Sequence, residues 1–408
     1  MNLRWNRTST LILVFVYVCA SAFLVSSWMK GRHEPGVRIE KYTYPERAAD
    51  FDQVPPRRPY AYRVLVPLLL RNAVRPIPFE DRRDWSVELV RSEPVTARLL
   101  GRFAVKPRFI PEFTLHLLLQ TGCVFGFAWF LRKQYHALYE APGLAADVAP
   151  LVAIFMAMSV YDSAAYHYDL PQLFFFTASL YAITSRSWRW FYLVVILGFV
   201  NKETMCLISL AFVSIVWRDM ARRDLIRHLA AQVAIFVSLR AAIVYSFGPI
   251  ASLRPGNDAL RDNFLKNLQQ MAGSDAFDTF ALQMAIAFAS VMVISHYLRG
   301  PALLRRASIL FVPFLAAYLK GGVWKELRVL GEVYPIAFML FYGGVMELLR
   351  APLDVKVEQR DRASVFRETP AVGRVVWLAL MVGLAILLVL AAALPWVGRR
   401  ALVEWLGL

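Results

Sequence analysis

The stretch Asn201-Lys202-Glu203-Thr204 places two charged side chains between two apolar runs, Trp190–Val200 and Met205–Trp217. A charged side chain at the centre of a bilayer-spanning helix costs about 2.5–3.5 kcal/mol. Such groups persist at depth where they pair with each other or line a polar cavity. Two interpretations follow: a Lys202–Glu203 pair that closes a tight turn between two helices, or two members of a buried polar site.

Other polar stretches supply groups that could complete such a site. Carboxylates can deprotonate a hydroxyl, and arginine can hold a phosphate through two parallel hydrogen bonds. These types together fit a membrane enzyme that acts on a phosphate-bearing lipid. The candidates for catalysis are Asp50, Asp52 and Asp169. The candidates for substrate binding are Arg63, His167, Lys202, Glu203, Arg240, Glu326, Arg328 and Glu332.

Each candidate also has a structural interpretation. Asp169 directly precedes Leu170-Pro171 and could cap the next helix instead of acting as a base. Arg240 lies within an apolar run and could extend its guanidinium to the membrane interface, without a phosphate partner. Other candidates could be ordinary loop residues that are solvated or that pair with one another. They are Asp50, Asp52, His167, Glu326 and Arg328.

Composition indicates a polytopic membrane protein. Hydrophobic residues make up 58% of the 408 residues and the mean hydropathy is +0.45, above the usage of soluble proteins. The net charge of +16 comes from Lys and Arg at the ends of apolar runs, where the positive-inside rule and anionic headgroups explain them. The chain has no zinc-ligand spacing and no nucleic-acid-binding module, so nucleic acid is not an expected partner.

The apolar runs predict an all-α protein with about 11 transmembrane segments, the N-terminus in the cytoplasm and the C-terminus outside. We treat residues 1–408 as a single transmembrane domain. Its large first outer loop, residues 29–111, is predicted to carry interfacial helices at Tyr60–Val74 and Asp81–Leu100. Two more connections are expected: an outer loop with an amphipathic helix at 248–278 and a cytoplasmic connector at 351–374.

Basic residues orient the stretch around Lys202. As one helix, Trp190–Trp217 would be about 42 Å long, and it would place Arg189 and Arg218 on opposite sides of the membrane. Two short helices joined at Asn201–Thr204 place both arginines in the cytoplasm, as the positive-inside rule requires. The sequence therefore predicts a helical hairpin whose turn dips into the membrane from the non-cytoplasmic side.

Four short blocks resemble recurring blocks of bacterial polytopic proteins in the GT-C glycosyltransferase superfamily. They are Tyr62–Pro67, Tyr168–Pro171, Asn201–Thr204, and Glu326–Val329 with the following Glu332 and Pro335. The resemblance spans residues 10–350. It implies a GT-C-like helical bundle, an acidic base in the first outer loop, and sugar transfer from a polyprenyl-phosphate donor. Asp50-Phe51-Asp52 matches that base, although it lies further from the first span than is usual in the superfamily.

The leading hypothesis is an integral-membrane glycosyltransferase of a bacterial inner membrane with its active site on the non-cytoplasmic side. Its partners would be a polyprenyl-phosphate-linked sugar donor and membrane lipids. A divalent cation, Mg²⁺ or Mn²⁺, is compatible with the carboxylates, but no ligand set requires a metal. The main alternative is a transporter or flippase for a lipid-linked or anionic substrate. That class predicts inverted internal repeats, and none is evident in the sequence. A non-catalytic membrane scaffold is the third hypothesis.

Overall fold

The structure, a computed structural model, describes residues 7–30, 43, 63–92, 105–140, 143–161, 166–247, 280–321, 330–349 and 353–356. This part of the chain is helical and contains no β-strand, which confirms the predicted all-α class. The α-helices are α1 (Arg7–Lys30), α2 (Leu65–Val74), α3 (Phe79–Ser92), α4 (Ile110–Leu138), α5 (Gly143–Tyr161), α6 (Asp169–Thr184), α7 (Trp188–Asn201), α8 (Ile208–Val216), α9 (Arg222–Phe247), α10 (Phe280–Arg299), α11 (Ala302–Ala307), α12 (Phe311–Gly321) and α13 (Tyr334–Leu348).

Several predicted features lie outside the described residues. They are Asp50, Asp52, Glu326, Arg328, the outer loop at 248–278, most of the connector at 351–374, and the last predicted span. The two predicted interfacial helices correspond to α2 and α3, and residues 60–62 and 93–100 of the predicted ranges lie outside the described residues.

Three described helices are long and apolar enough to cross a membrane, within Thr10–Ser27, Pro107–Leu138 and Arg222–Ser246. A fourth span results if Phe288–Arg299 and Ala302–Ala317, which are bent by 119°, count as one broken segment. The other apolar helices in the described part are shorter. The structure thus supports membrane-spanning helices, whereas the count of about 11 segments stays a prediction.

Helix α4 lies at the centre of the bundle and packs against α1, α5 and α6. Its inward side chains Phe127 and Leu131 are fully buried, whereas Leu11 and Phe15 on α1 are exposed. An exposed apolar face of this kind is typical of helices that contact lipid. Polar contacts join helices inside the bundle: the Tyr17 hydroxyl donates a hydrogen bond to the Asp147 carbonyl at 2.7 Å.

The predicted hairpin is present. Phe191 of α7 and Phe212 of α8 stack with their ring centroids 5.4 Å apart. One continuous helix would separate these residues by about 31 Å. At the open end of the hairpin, Arg186 and Asp219 form an ion pair of 3.2 Å. The two helices therefore run antiparallel, and the turn around Lys202 lies at the opposite end from Arg186.

Helices α10 and α13 approach each other closely at two glycines. A Cβ atom added to Gly344 would overlap the backbone carbonyl of Met292. A Cβ atom added to Gly343 would overlap the imidazole ring of His296. That ring contacts the Glu347 carboxylate through Nδ1 at 2.8 Å, which adds a polar link between the same two helices. Small residues that allow close backbone approach are typical of helix contacts in membranes.

We expect Gly344→Ala to lower the free energy of unfolding by about 1–3 kcal/mol, because the new methyl group forces the backbones of α10 and α13 apart. The matched control is Gly122→Ala in α4, where nothing lies within 4 Å of the added Cβ. That change should be neutral or stabilising by up to about 1 kcal/mol, because alanine favours helix. Equilibrium unfolding in detergent measures both variants. Equal stabilities would contradict the close contact.

Candidate functional site

Six charged side chains from separate parts of the chain meet at one end of the bundle. We call this set the polar cluster; it consists of Arg63, Asp169, Lys202, Glu203, Arg240 and Glu332. The hairpin turn contributes two of the six, the segment before α2 one, the start of α6 one, α9 one, and the segment before α13 one. All six are among the predicted site residues, so the structure brings together the part of that set which it describes, with His167 beside it.

Lys202 is the centre of the buried half of the polar cluster. Its Nζ atom lies 2.7 Å from Glu332 Oε1 and 3.6 Å from Asp169 Oδ1, and all three residues are buried. The Thr204 hydroxyl donates a further hydrogen bond of 2.8 Å to Glu332 Oε1. A Lys202–Glu203 pair, one of the two interpretations of the sequence, is therefore wrong. This half fixes the hairpin turn to the segments that begin α6 and α13.

The cap interpretation of Asp169 is also wrong. The N-cap residue of α6 is Tyr168, which makes no side-chain capping hydrogen bond, and Asp169 is the first residue of the helix. Its carboxylate forms an ion pair with Lys202 across the gap to the hairpin turn. Asp169 therefore joins two helices and does not terminate one.

Glu203 is the centre of the more exposed half of the polar cluster. Its carboxylate accepts hydrogen bonds from Arg63 Nη2 at 2.5 Å and Nε at 3.3 Å, a two-pronged contact. Arg240 Nη2 lies 3.4 Å from Glu203 Oε2. Arg240 thus contacts a carboxylate inside the protein. The sequence had suggested either extension of Arg240 to the membrane interface or a phosphate partner, and neither interpretation included Glu203. The Glu203 side chain is 28% exposed, more than any other member of the cluster.

Tyr168 connects the two halves through its ring. The Arg63 guanidinium carbon lies 4.2 Å from the ring centroid, and Lys202 Nζ lies 5.4 Å from it. Contacts of this kind contribute about 0.5–2 kcal/mol each, most where water is excluded. The cluster holds three cations and three carboxylates, so its formal charges sum to zero (3 − 3). Its members therefore compensate one another's charge within the protein.

His167 lies beside the cluster and contacts Arg63 through the backbone. Its Nε2 atom is 3.3 Å from the Arg63 carbonyl oxygen. Gln120 of α4 in turn donates a hydrogen bond of 2.7 Å to the His167 carbonyl. The predicted substrate-binding residue His167 is thus placed to position the segment that carries Arg63.

Asn201 and Gln172 form a buried amide pair behind the hairpin turn. Asn201 Nδ2 donates to Gln172 Oε1 at 3.0 Å and to the Tyr168 carbonyl at 2.9 Å. The predicted site residues did not include Gln172, Gln120 or Tyr168, although Tyr168 begins one of the four sequence blocks. A glutamine inside an apolar helix is a usable signal, because polar side chains in such helices commonly hydrogen-bond to neighbouring helices.

The described part of the cluster does not resemble a metal site. No group of three His, Cys, Asp or Glu residues there is placed to hold a metal ion. Asp169 and Glu332 do approach one another, but the Lys202 ammonium already lies between their carboxylates. A Mg²⁺ or Mn²⁺ site would therefore depend on Asp50 and Asp52, which lie outside the described residues.

The function of this chain is inferred mainly from the geometry of the polar cluster. No family model, curated protein or solved structure matches this chain. The resemblance to GT-C proteins therefore rests on the four sequence blocks. All four blocks contribute residues to the polar cluster: Arg63 from Tyr62–Pro67, Asp169 from Tyr168–Pro171, Lys202 and Glu203 from Asn201–Thr204, and Glu332 from the fourth block.

Proposed function

We propose that this protein is an integral-membrane glycosyltransferase of GT-C type that uses a polyprenyl-phosphate-linked sugar donor. The observation that carries the proposal is the convergence of Arg63 and Arg240 on the partly exposed carboxylate of Glu203. Two guanidinium groups held side by side at the end of a helical bundle suit the oxygens of a lipid phosphate. Arginine also suits this ligand because it stays charged when it is partly buried.

The two halves of the polar cluster then have different tasks. The buried half holds the hairpin turn in place through the contacts of Lys202 with Asp169 and Glu332. The half around Glu203 is more accessible and would bind the donor. In this scheme Glu203 orients the two arginines, and the lipid phosphate shares them with its carboxylate.

The chemical step would draw its base from the first outer loop. Asp50 or Asp52 would take the proton of the acceptor hydroxyl, and the acceptor oxygen would attack the anomeric carbon of the sugar. The bond from that carbon to the phosphate oxygen breaks, and polyprenyl phosphate leaves with the electron pair. Arg63 and Arg240 would stabilise the negative charge of the leaving phosphate.

The proposal includes the membrane arrangement. About 11 segments would form a GT-C-like bundle in a bacterial inner membrane, with the polar cluster on the non-cytoplasmic side. Basic residues support this orientation: Arg186 lies at the open end of the hairpin, and Arg132 and Lys133 lie near the C-terminal end of α4. Both positions lie away from the polar cluster, as the positive-inside rule predicts.

A transporter or flippase is the second candidate, and one observation favours it. The described part of the chain has two interrupted apolar segments, at Lys202 and at the 119° bend between Arg299 and Ala302. Interrupted helices form substrate sites in many secondary transporters. Against this candidate, the polar cluster lies at one end of the hairpin and not midway along a helix.

Turnover of lipid-linked sugars by the purified full-length protein tests the proposal. We expect release of polyprenyl phosphate from at least one donor and transfer of its sugar to an added acceptor. Arg240→Gln should raise the KM for that donor by about tenfold or more, because a charge-assisted hydrogen bond contributes about 1.5–3 kcal/mol. Arg227→Gln is the matched control on the same helix, since Arg227 is exposed and pairs only locally, with Asp224.

Three results would count against the glycosyltransferase. They are the absence of phosphate release from all donors, an unchanged KM in Arg240→Gln, and an equal change in both variants. Movement of a labelled lipid donor between leaflets without phosphate release would favour the transporter.

A further inference from the structure

A second polar site lies near the other end of α4, away from the polar cluster. Thirteen residues separate Gln120, which supports the cluster, from Lys133, so the two sites are about 20 Å apart along the helix. There an open, surface-facing cavity of about 350 Å³ is lined by Arg132, Lys133, His136, Ala137 and Tyr181. Its volume lies within the range of small-molecule binding sites.

The surroundings of this cavity are positively charged. Arg132 forms an ion pair with the buried Asp147 through Nε at 2.5 Å. In the described part of the chain Lys133 has no carboxylate partner, and its ammonium lies 5.6–5.9 Å from the ring centroids of Trp129, Phe130 and Tyr181. A third cation is nearby, because Lys356 Nζ donates a hydrogen bond of 2.8 Å to the His136 carbonyl. Three cations, Arg132, Lys133 and Lys356, thus lie in or beside the cavity, and among the described residues only Arg132 is paired with a carboxylate there.

His136 has a side-chain nitrogen that lacks a hydrogen-bond partner in the described part of the chain. Its Nε2 atom is buried and has no hydrogen-bond partner among the described residues. A buried polar atom normally has a partner, and His136 is one of the residues that line the cavity. Cations near a helix C-terminus also complement the helix dipole, which explains the charge here but neither the cavity nor this ring nitrogen.

The position of the cavity identifies the source of the phosphate. Helix α4 has 29 residues and is about 43 Å long, which exceeds the roughly 30 Å of a bilayer's hydrocarbon core. If the apolar part of α4 spans the hydrocarbon core, its last turns, which carry Arg132 and Lys133, would reach the depth of the lipid headgroups. Trp129 and Tyr181 are residue types that prefer this depth. Basic pockets between helices at this level suit anionic headgroups.

We propose that the cavity formed by Arg132, Lys133, His136, Ala137 and Tyr181 binds the phosphate of an anionic phospholipid. Lys133 would contact the phosphate directly, while Asp147 holds Arg132 in place and the aromatic rings contact the lipid backbone. This site is separate from the donor site and does not depend on the proposed glycosyltransferase activity. It would tie the end of α4 to the lipid surface.

Binding of phosphatidylglycerol to the full-length protein in detergent, measured by native mass spectrometry or by thermal shift, tests the proposal. We expect Lys133→Gln to weaken binding about fivefold, the effect of about 1 kcal/mol per lysine near an anionic membrane surface. Lys133→Arg should retain the affinity, which separates lost charge from misfolding. Arg189→Gln removes an equal charge at an exposed position and should leave binding unchanged.

Phosphatidylcholine and inorganic phosphate are the comparison ligands. Phosphatidylcholine should bind more weakly than phosphatidylglycerol, and Lys133→Gln should not change its binding. The proposal is overturned if inorganic phosphate binds as tightly as phosphatidylglycerol, since the site would then take free phosphate. It is equally overturned if Lys133→Gln and Arg189→Gln weaken lipid binding to the same extent, because the charge would then act without a defined pocket.

Discussion

Lys202→Gln is expected to lower the free energy of unfolding by about 3–5 kcal/mol. The substitution removes the one ammonium that lies between the carboxylates of Asp169 and Glu332, and both carboxylates are buried. Removal of one partner from a buried ion pair is costly, because the remaining charge stays in a low-dielectric environment without compensation. Equilibrium unfolding of the purified protein in detergent, followed by circular dichroism, measures this loss.

Two further variants make the result specific. Arg186→Gln breaks the exposed ion pair with Asp219 and should cost at most about 1 kcal/mol. In the double variant Lys202→Gln with Glu332→Gln, one of the two uncompensated carboxylates becomes neutral, so part of the lost stability should return. If Lys202→Gln costs no more than Arg186→Gln, Lys202 is not the centre of a buried network.

The hairpin could be predicted from the sequence because its evidence is local. The apolar runs on either side of Lys202 are each too short to cross a bilayer. Arg186 and Arg218 lie beyond the ends of these runs that are furthest from Lys202. Both signals belong to residues near one another in the chain. The positive-inside rule then left the helical hairpin as the one arrangement that places both arginines on the same side. The Phe191–Phe212 contact confirms the hairpin.

The pairing of the charges could not be predicted in the same way. Lys202 and Glu203 are neighbours in sequence, which suggested a local pair, yet each one pairs with distant residues. The backbone of Lys202 is extended, with φ −156° and ψ 138°, and successive side chains in extended backbone point in opposite directions. Lys202 therefore meets Glu332, while Glu203 meets Arg63, more than a hundred residues away in the sequence in both cases. Only helix packing sets such distances.

This pairing also changes the functional argument. From the sequence, Lys202 was as good a phosphate-binding candidate as Arg63 or Arg240. The structure buries Lys202 between two carboxylates, whereas Glu203, which holds the two arginines, is partly exposed. Binding of a donor phosphate is therefore expected to depend on the two arginines, and the stability of the fold is expected to depend on Lys202. The two sets of variants separate these roles.

Asp52→Asn is expected to lower the kcat of sugar transfer by about 10²–10⁴-fold, the usual contribution of a general base. The amide keeps the size and shape of the carboxylate and one of its two acceptor oxygens, but it cannot take the proton of the acceptor hydroxyl. Because the proposed function places the donor phosphate at Arg63 and Arg240, the KM for the donor should change little. Initial rates at saturating donor, measured as release of polyprenyl phosphate, separate the two parameters.

Asp50→Asn and Asp81→Asn complete this experiment. Asp81 lies exposed on α3, within the same predicted first outer loop, so its replacement should leave the kcat unchanged. If Asp50 is the base, the loss appears in Asp50→Asn and not in Asp52→Asn. Wild-type rates in both would remove the Asp50–Asp52 pair from the mechanism. The carboxylates of the polar cluster would then be the candidates for the general base, with Glu203 first because it is the most exposed of them.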